Sequence, residues 1–129
     1  MAQSSITAAF LRECFDYNPD TGEVIWRKRP SHHFPLRHHQ RAWNFRWAGK
    51  PAGFTNKGTG YRHVRIDVDG PKVFLMHRLI WLMVSGDWPK NQIDHINRDR
   101  ADNRLSNLRD VPRQENLKNR SQRARKQAK

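Results

Sequence analysis

Asp94 and His95 stand side by side at the end of a short apolar run, Gln92-Ile93-Asp94-His95-Ile96, with Asn107 twelve residues past the histidine and Asn116 nine beyond that. A carboxylate and an imidazole on adjacent residues of an extended segment point to opposite sides, so the pair can serve two partners at once. An unperturbed imidazole titrates at about pH 6.5, which suits His95 to take a proton from water. Asp94, with Asn116, offers the oxygen donors a hard divalent cation prefers, magnesium first and manganese as a substitute. Phosphodiester hydrolysis needs an activated water and neutralised charge on the phosphate and the leaving oxygen, and each need has a candidate here. Taken one at a time, these residues read more simply as a capping acid, a turn amide and an exposed helical amide. Their joint spacing favours the catalytic reading. Asn103 and Asn119 are the rivals for the two asparagine roles and alternative ligands; Asn119 lies about one helical turn beyond Asn116.

The elements that must position this set follow from pattern. Residues 92–96 read as a strand, 98–109 as a polar, turn-rich stretch, and Val111-Pro112 as the opening of a helix through Arg120, with proline in its permitted first turn. Strand, loop, strand and helix would bring Asn116 back over Asp94.

This order and spacing resemble the HNH endonucleases of the phage and intron homing type. The likeness is carried by His77-Arg78-Leu79-Ile80-Trp81, Ile93-Asp94-His95-Ile96-Asn97, the run from Asp102-Asn103-Arg104 to Asn107-Leu108-Arg109, and Glu115-Asn116-Leu117-Lys118-Asn119-Arg120. Looser likeness extends upstream, through the segment around Asp20-Thr21-Gly22 and Gly58-Thr59-Gly60-Tyr61-Arg62. The resemblance implies an α+β protein in which an N-terminal helix and β-hairpin region pack against a C-terminal ββα-metal motif. It implies His95 as general base, Asn107 as the residue that orients its ring, and Asp94 and Asn116 as ligands of one magnesium ion. It also implies nicking of one DNA strand to leave a 5′-phosphate and a 3′-hydroxyl. Asp94 is the only acid clearly placed in the motif, so the carboxylate cluster of a two-metal nuclease is missing. Residues 1–75 then form a helical and β-rich DNA-contacting region, 76–120 the nuclease motif and 121–129 a basic tail, all within one compact domain. Intron-type members often carry further DNA-reading modules after the motif, whereas here nine residues follow Arg120; the tail is expected to be disordered or to order only on DNA.

Charge agrees with a polyanionic partner. The chain has 25 Lys and Arg against 12 Asp and Glu, a formal +13 in 129 residues. From Arg27 to Lys50 there are seven basic residues and no acid, and from Arg98 to Lys129 eleven against four. Two blocks of one sign favour phosphate contact over a merely solvated surface. Arg46, Arg104, Arg109, Arg113 and Arg120 are the candidate DNA contacts, and duplex DNA the expected partner of a monomer or weak dimer. The alternative is a DNA- or RNA-binding protein with a degenerate motif and no enzymatic activity. One cysteine, Cys14, excludes an intramolecular disulfide and a cysteine-built zinc site. The first residues lack the basic start and apolar core of a secretory signal and no apolar run approaches membrane-spanning length, so a cytoplasmic protein with no membrane partner is expected, in a bacterial host if the phage resemblance holds.

Upstream, Ser4 or Ser5 can cap a helix carrying Ile6, Phe10 and Cys14 on one face, ending before Asn18-Pro19. A turn at Asp20-Thr21-Gly22 leads into a strand over 23–27. Residues 28–52 show no pattern of a core element and read as a long basic, aromatic loop, a kind that is usually functional or disordered. Within it Trp43, Phe45 and Trp47 alternate at strand spacing, most simply the inward face of a strand. His32-His33 and His38-His39 read as solvated or close to DNA, since no thiolate or carboxylate accompanies them in sequence. Val64, Ile66 and Val68 mark one face of a half-buried strand; Asp69-Gly70 is a hairpin signal, with 72–75 returning. A helix over 76–85 stops at Gly86, with Leu79, Ile80, Leu82 and Met83 as core, and His77 near its start reads as a packing or capping residue as readily as a DNA contact.

Overall fold

The computed structural model describes residues 6–112 apart from residue 69. The fold is α+β, with three helices and three small antiparallel sheets among the described residues. The first helix, α1 (Ala8–Cys14), is capped by Thr7, whose Oγ1 accepts from the Phe10 N–H at 3.1 Å. The caps expected at Ser4 or Ser5 lie outside the described residues. The helix also ends earlier than the apolar spacing suggests. Phe15 turns extended and opens β1 (Phe15–Tyr17), pairing with β2 (Val24–Trp26) in the register Phe15↔Trp26. Pairing satisfies the backbone and brings the Phe15 and Trp26 rings to 4.5 Å, a gain that one more helical turn would forfeit. Val24 and Trp26 are buried and Ile25 half-buried, as the alternation predicts.

The largest departure from expectation lies in 28–52. In place of a loop with a strand-like stripe there is a 3-10 turn at Ser31–His33 and then α2 (Arg37–Trp47). The aromatic alternation misleads because a different period does the anchoring. Gln40, Trp43 and Asn44, at spacings of three and four, face inward onto Arg29. The Arg29 carbonyl accepts from Gln40 Nε2 at 3.0 Å and Asn44 Nδ2 at 3.1 Å, its N–H donates to Asn44 Oδ1 at 2.9 Å, and its guanidinium lies 4.8 Å from the Trp43 ring centre. Arg29 itself is buried, and its guanidinium also faces the Phe34 and Phe10 rings.

Three strands, β3 (Phe54–Thr55), β4 (Arg62–Asp67) and β5 (Pro71–Leu75), form a sheet in that order. Val64 and Ile66 are buried while Arg65 and Asp67 face solvent, the period-two pattern of a half-buried strand. The chain passes from β5 straight into α3 (Met76–Ser85), closed by Gly86 at φ 89°, whose N–H reaches the Leu82 carbonyl at 2.8 Å. A left-handed residue there accepts the helix end without a Cβ penalty. Leu79 and Ile80 are fully buried in one continuous core with Leu11, Cys14, Val64 and Ile66. Arg12 ties α1 to α3 through its Nε on the Met83 carbonyl at 2.9 Å. The last pair, β6 (Gln92–His95) and β7 (Leu108–Val111), is antiparallel, with Asp94 opposite Arg109 and His95 opposite Leu108. Val111, expected to open a helix, instead ends β7 opposite Gln92; the predicted helix through Arg120 lies outside the described residues. Among the described residues no helix is long and apolar enough to cross a membrane.

Candidate active site

The β6–β7 hairpin and the loop 96–107 between its strands carry the candidate chemistry. Asp94 and His95 are both 5% exposed, and Asp94 is the one buried carboxylate among the described residues. A buried carboxylate needs a cationic partner, and the cross-strand register supplies one: Arg109 Nε and Nη2 each lie 3.0 Å from Asp94 Oδ2. Arg109, expected to clamp phosphate, thus holds the proposed ligand while its side chain stays 43% exposed.

His95 Nε2 lies 2.8 Å from Asn103 Oδ1. Facing a carbonyl oxygen, Nε2 carries the proton, so in the neutral ring the lone pair sits on Nδ1. Burial pushes the His95 pKa below its ordinary value, against the opposing pull of the Asn103 bond and the nearby carboxylates, led by Asp94. Burial thus favours the neutral ring, the form a base requires.

The loop explains which asparagine does what. Asn107 braces it: Oδ1 accepts from the Asn97 N–H at 2.9 Å, and Nδ2 donates to Asn97 Oδ1 at 2.9 Å and to the Asp102 carbonyl at 2.8 Å. The contact to the His95 ring that the resemblance implies for Asn107 is made by Asn103, the rival residue, because Asn107 faces back into the loop. No sequence signal separates these two asparagines, which differ only in the direction the loop turns them. Asp102 accepts from Arg104 Nε at 2.8 Å and Nη2 at 2.7 Å, and these bonds hold its carboxyl down at about 2. Arg104, also expected at phosphate, is thereby fixed beside the site. Asn116, Arg113, Asn119 and Arg120 lie outside the described residues.

Distant segments hold Asn103 in turn. The Tyr17 hydroxyl donates to the Asn103 carbonyl at 2.6 Å, and the Leu105 N–H reaches the Pro19 carbonyl at 3.0 Å. Gly22, at φ 81°, lies so close that a Cβ would sit 2.7 Å from the Arg104 nitrogen and 2.8 Å from the Asn103 carbonyl carbon. The β1–β2 turn is thus a buttress for the loop, a role invisible in local pattern. His77 is buried and packs edge-on against His95, ring centres 4.9 Å apart, with the Tyr61 ring 5.3 Å from His77 and 5.9 Å from His95. Its Nδ1 is buried with no hydrogen-bond partner among the described residues, and burial drives its pKa down to about 3. His77 is therefore a packing residue beside the candidate base.

A second cluster corrects the reading of the paired histidines. Glu13 of α1 does accompany His32 and His33, its Oε1 lying 3.2 Å and 3.4 Å from their Nε2 atoms. The His33 side chain is 1% exposed, whereas His32 is 67% exposed. These three could in principle hold a metal ion. The neighbouring Arg29 opposes it: its Nε donates to His33 Nδ1 at 3.0 Å, which places the His33 proton on Nε2, facing Glu13. The cluster is a hydrogen-bonded clip between α1 and the 3-10 turn.

Comparison with known proteins finds a match over one segment of the chain. Residues 74–118 match the family model described as HNH endonuclease. That segment is similar to the HNH endonucleases. Within it lie α3, the β6–β7 hairpin, Asp94, His95, Asn103 and Asn107. A solved structure described as "DNA binding and cleavage by the HNH homing endonuclease I-HmuI" superposes with a TM-score of 0.56 at 23% identity, over 85% of this chain and 53% of that one. This chain thus spans about half the length of that HNH protein, and the likeness is one of fold. A comparison with curated proteins found no match.

Proposed function

We propose that this protein is a metal-dependent, phage-type DNA endonuclease that nicks one strand of a duplex as a monomer or weak dimer, leaving a 5′-phosphate and a 3′-hydroxyl. The observation that carries the reading is the buried Asp94-His95 pair within the HNH segment, the imidazole held neutral with its proton directed to Asn103. His95 takes the proton of the attacking water through Nδ1. Asn103 holds the ring by accepting from Nε2–H, and Asn107 keeps the loop closed behind it. Asp94 fits a hard divalent cation: it offers carboxylate oxygen in a buried site, with Arg109 orienting it through one oxygen. Asn116 is the proposed second protein ligand. Magnesium or manganese held there would supply positive charge to the phosphate and the leaving 3′ oxygen. Arg104 and Arg109, half-exposed at the site's edge, with Arg46, Arg113 and Arg120, are proposed to contact phosphate.

Incubation with supercoiled plasmid tests this reading. Open circles formed with magnesium and withheld by EDTA, and sealed again by DNA ligase, are the expected result. Bound but uncut DNA with either metal would favour the binding-only alternative.

A further inference from the structure

We propose that α2 is a groove-entering helix for duplex DNA, with Phe45 set against the base edges and Arg41 and Arg46 on the two flanking phosphate walls. The inference rests on the nuclease reading and assigns the surface that grips the substrate. Helix α2 has no buried residue and no acid, and Phe45 on it is 93% exposed. The helix is attached through Gln40, Trp43 and Asn44 on Arg29. At 100° per residue, Phe45, Ala42 and His38 form the ridge opposite that attachment, and Arg41 and Arg46 stand on either side of it. Ala42 leaves the middle of the ridge low, so a surface can approach closely.

Charge selects the occupant. An exposed apolar ring between two arginines, on a stretch with seven basic residues and no acid, repels a second copy of itself and suits a polyanion. A helix with its side chains is about 10–12 Å across, and the major groove of B-DNA is about 12 Å wide. In that groove the ridge meets base edges and thymine methyls while both flanks meet phosphates.

The test measures duplex affinity across a salt series in the His95→Ala background, which keeps the DNA uncut, together with nicking in the His95-intact protein. Phe45→Ala should weaken binding roughly tenfold with the salt slope unchanged, since it removes an uncharged contact. Arg41→Ala with Arg46→Ala should lower the slope of log K against log salt by about two. Every site lies on an exposed face, and an unaltered melting temperature checks the fold. Methyl green, a major-groove ligand, should compete with binding. Unchanged affinity and slope in both variants, with plasmid still nicked by the His95-intact protein, would overturn the role of α2 and leave the nuclease reading standing. Absence of both binding and nicking in the unmodified protein would overturn both.

Discussion

The amide oxygen of Asn103 lies 2.8 Å from Nε2 of His95, and that contact decides which face of the imidazole can act as a base. Asn103→Ala removes the acceptor and frees the ring to turn. Nicking should fall by about 10²-fold, within the range for general-base catalysis, with DNA affinity unchanged. Asn107→Ala should behave differently. It leaves the Asn97 N–H and the Asp102 carbonyl without their partner, so thermal unfolding should show a loss of about 1–3 kcal/mol alongside any loss of rate.

Tyr17→Phe tests the buttress. The 2.6 Å bond to the Asn103 carbonyl is lost while the ring remains, so stability should drop by about 1 kcal/mol and nicking should fall several-fold. Gly22→Ala adds a Cβ against the 103–104 backbone at a positive φ and should cost more than Tyr17→Phe. Chemical denaturation and single-turnover nicking read both effects. A Gly22→Ala protein as stable as the parent would contradict the close approach of the two segments.

Much of this arrangement was legible in the sequence, and the failures share a cause. The β4 alternation, the hairpin and the α3 span with its Gly86 stop follow from local period and turn chemistry, and the structure has them where those rules place them. The β6 strand also lies where the apolar run beside Asp94 and His95 places it, whereas β7 falls on residues read as a turn-rich stretch and a helix start. By contrast α2 is held by Arg29, eight residues before the helix starts, and the partner of the His95 ring is chosen by how a twelve-residue loop folds, 96–107. Tyr17 acts on Asn103 across 86 positions. Local pattern carries no record of such contacts.

Acid should destabilise the fold. Burial depresses the pKa values of His33, His77 and His95, with His77 down to about 3. A depressed histidine is neutral in both states above the unfolded value of about 6.5, so it adds no penalty there. Below 6.5 the unfolded chain takes up the proton first, and stability falls until the pH passes the folded pKa. For His77 that window runs from about 6.5 to about 3, with an integrated effect of roughly 5 kcal/mol. His77→Phe should stay within about 1 kcal/mol of the parent at pH 7.5, because the buried Nδ1 has no partner to lose among the described residues, and should flatten the acid limb. Melting temperatures measured from pH 7.5 to 4.5 report both; an equal slope in parent and variant would contradict the buried neutral ring.

Arg29 clamps the N-terminal layer. Its guanidinium faces Phe10, Phe34 and Trp43 and donates to His33, while its backbone holds α2. Arg29→Ala should cost about 2–4 kcal/mol through lost packing and cation–π contact. Hydrogen exchange should show α2 amides losing protection before those of α3; uniform loss would argue against the clamp.

The central claim is that His95 is the base of a DNA-nicking site. The most direct test compares the parent with His95→Ala on supercoiled plasmid in magnesium under single-turnover conditions, with binding and melting temperature measured in parallel. The account predicts open circles from the parent, at least about 10²-fold slower conversion by the variant, and unchanged DNA binding and fold. Conversion at the parental rate by a folded His95→Ala protein would contradict it.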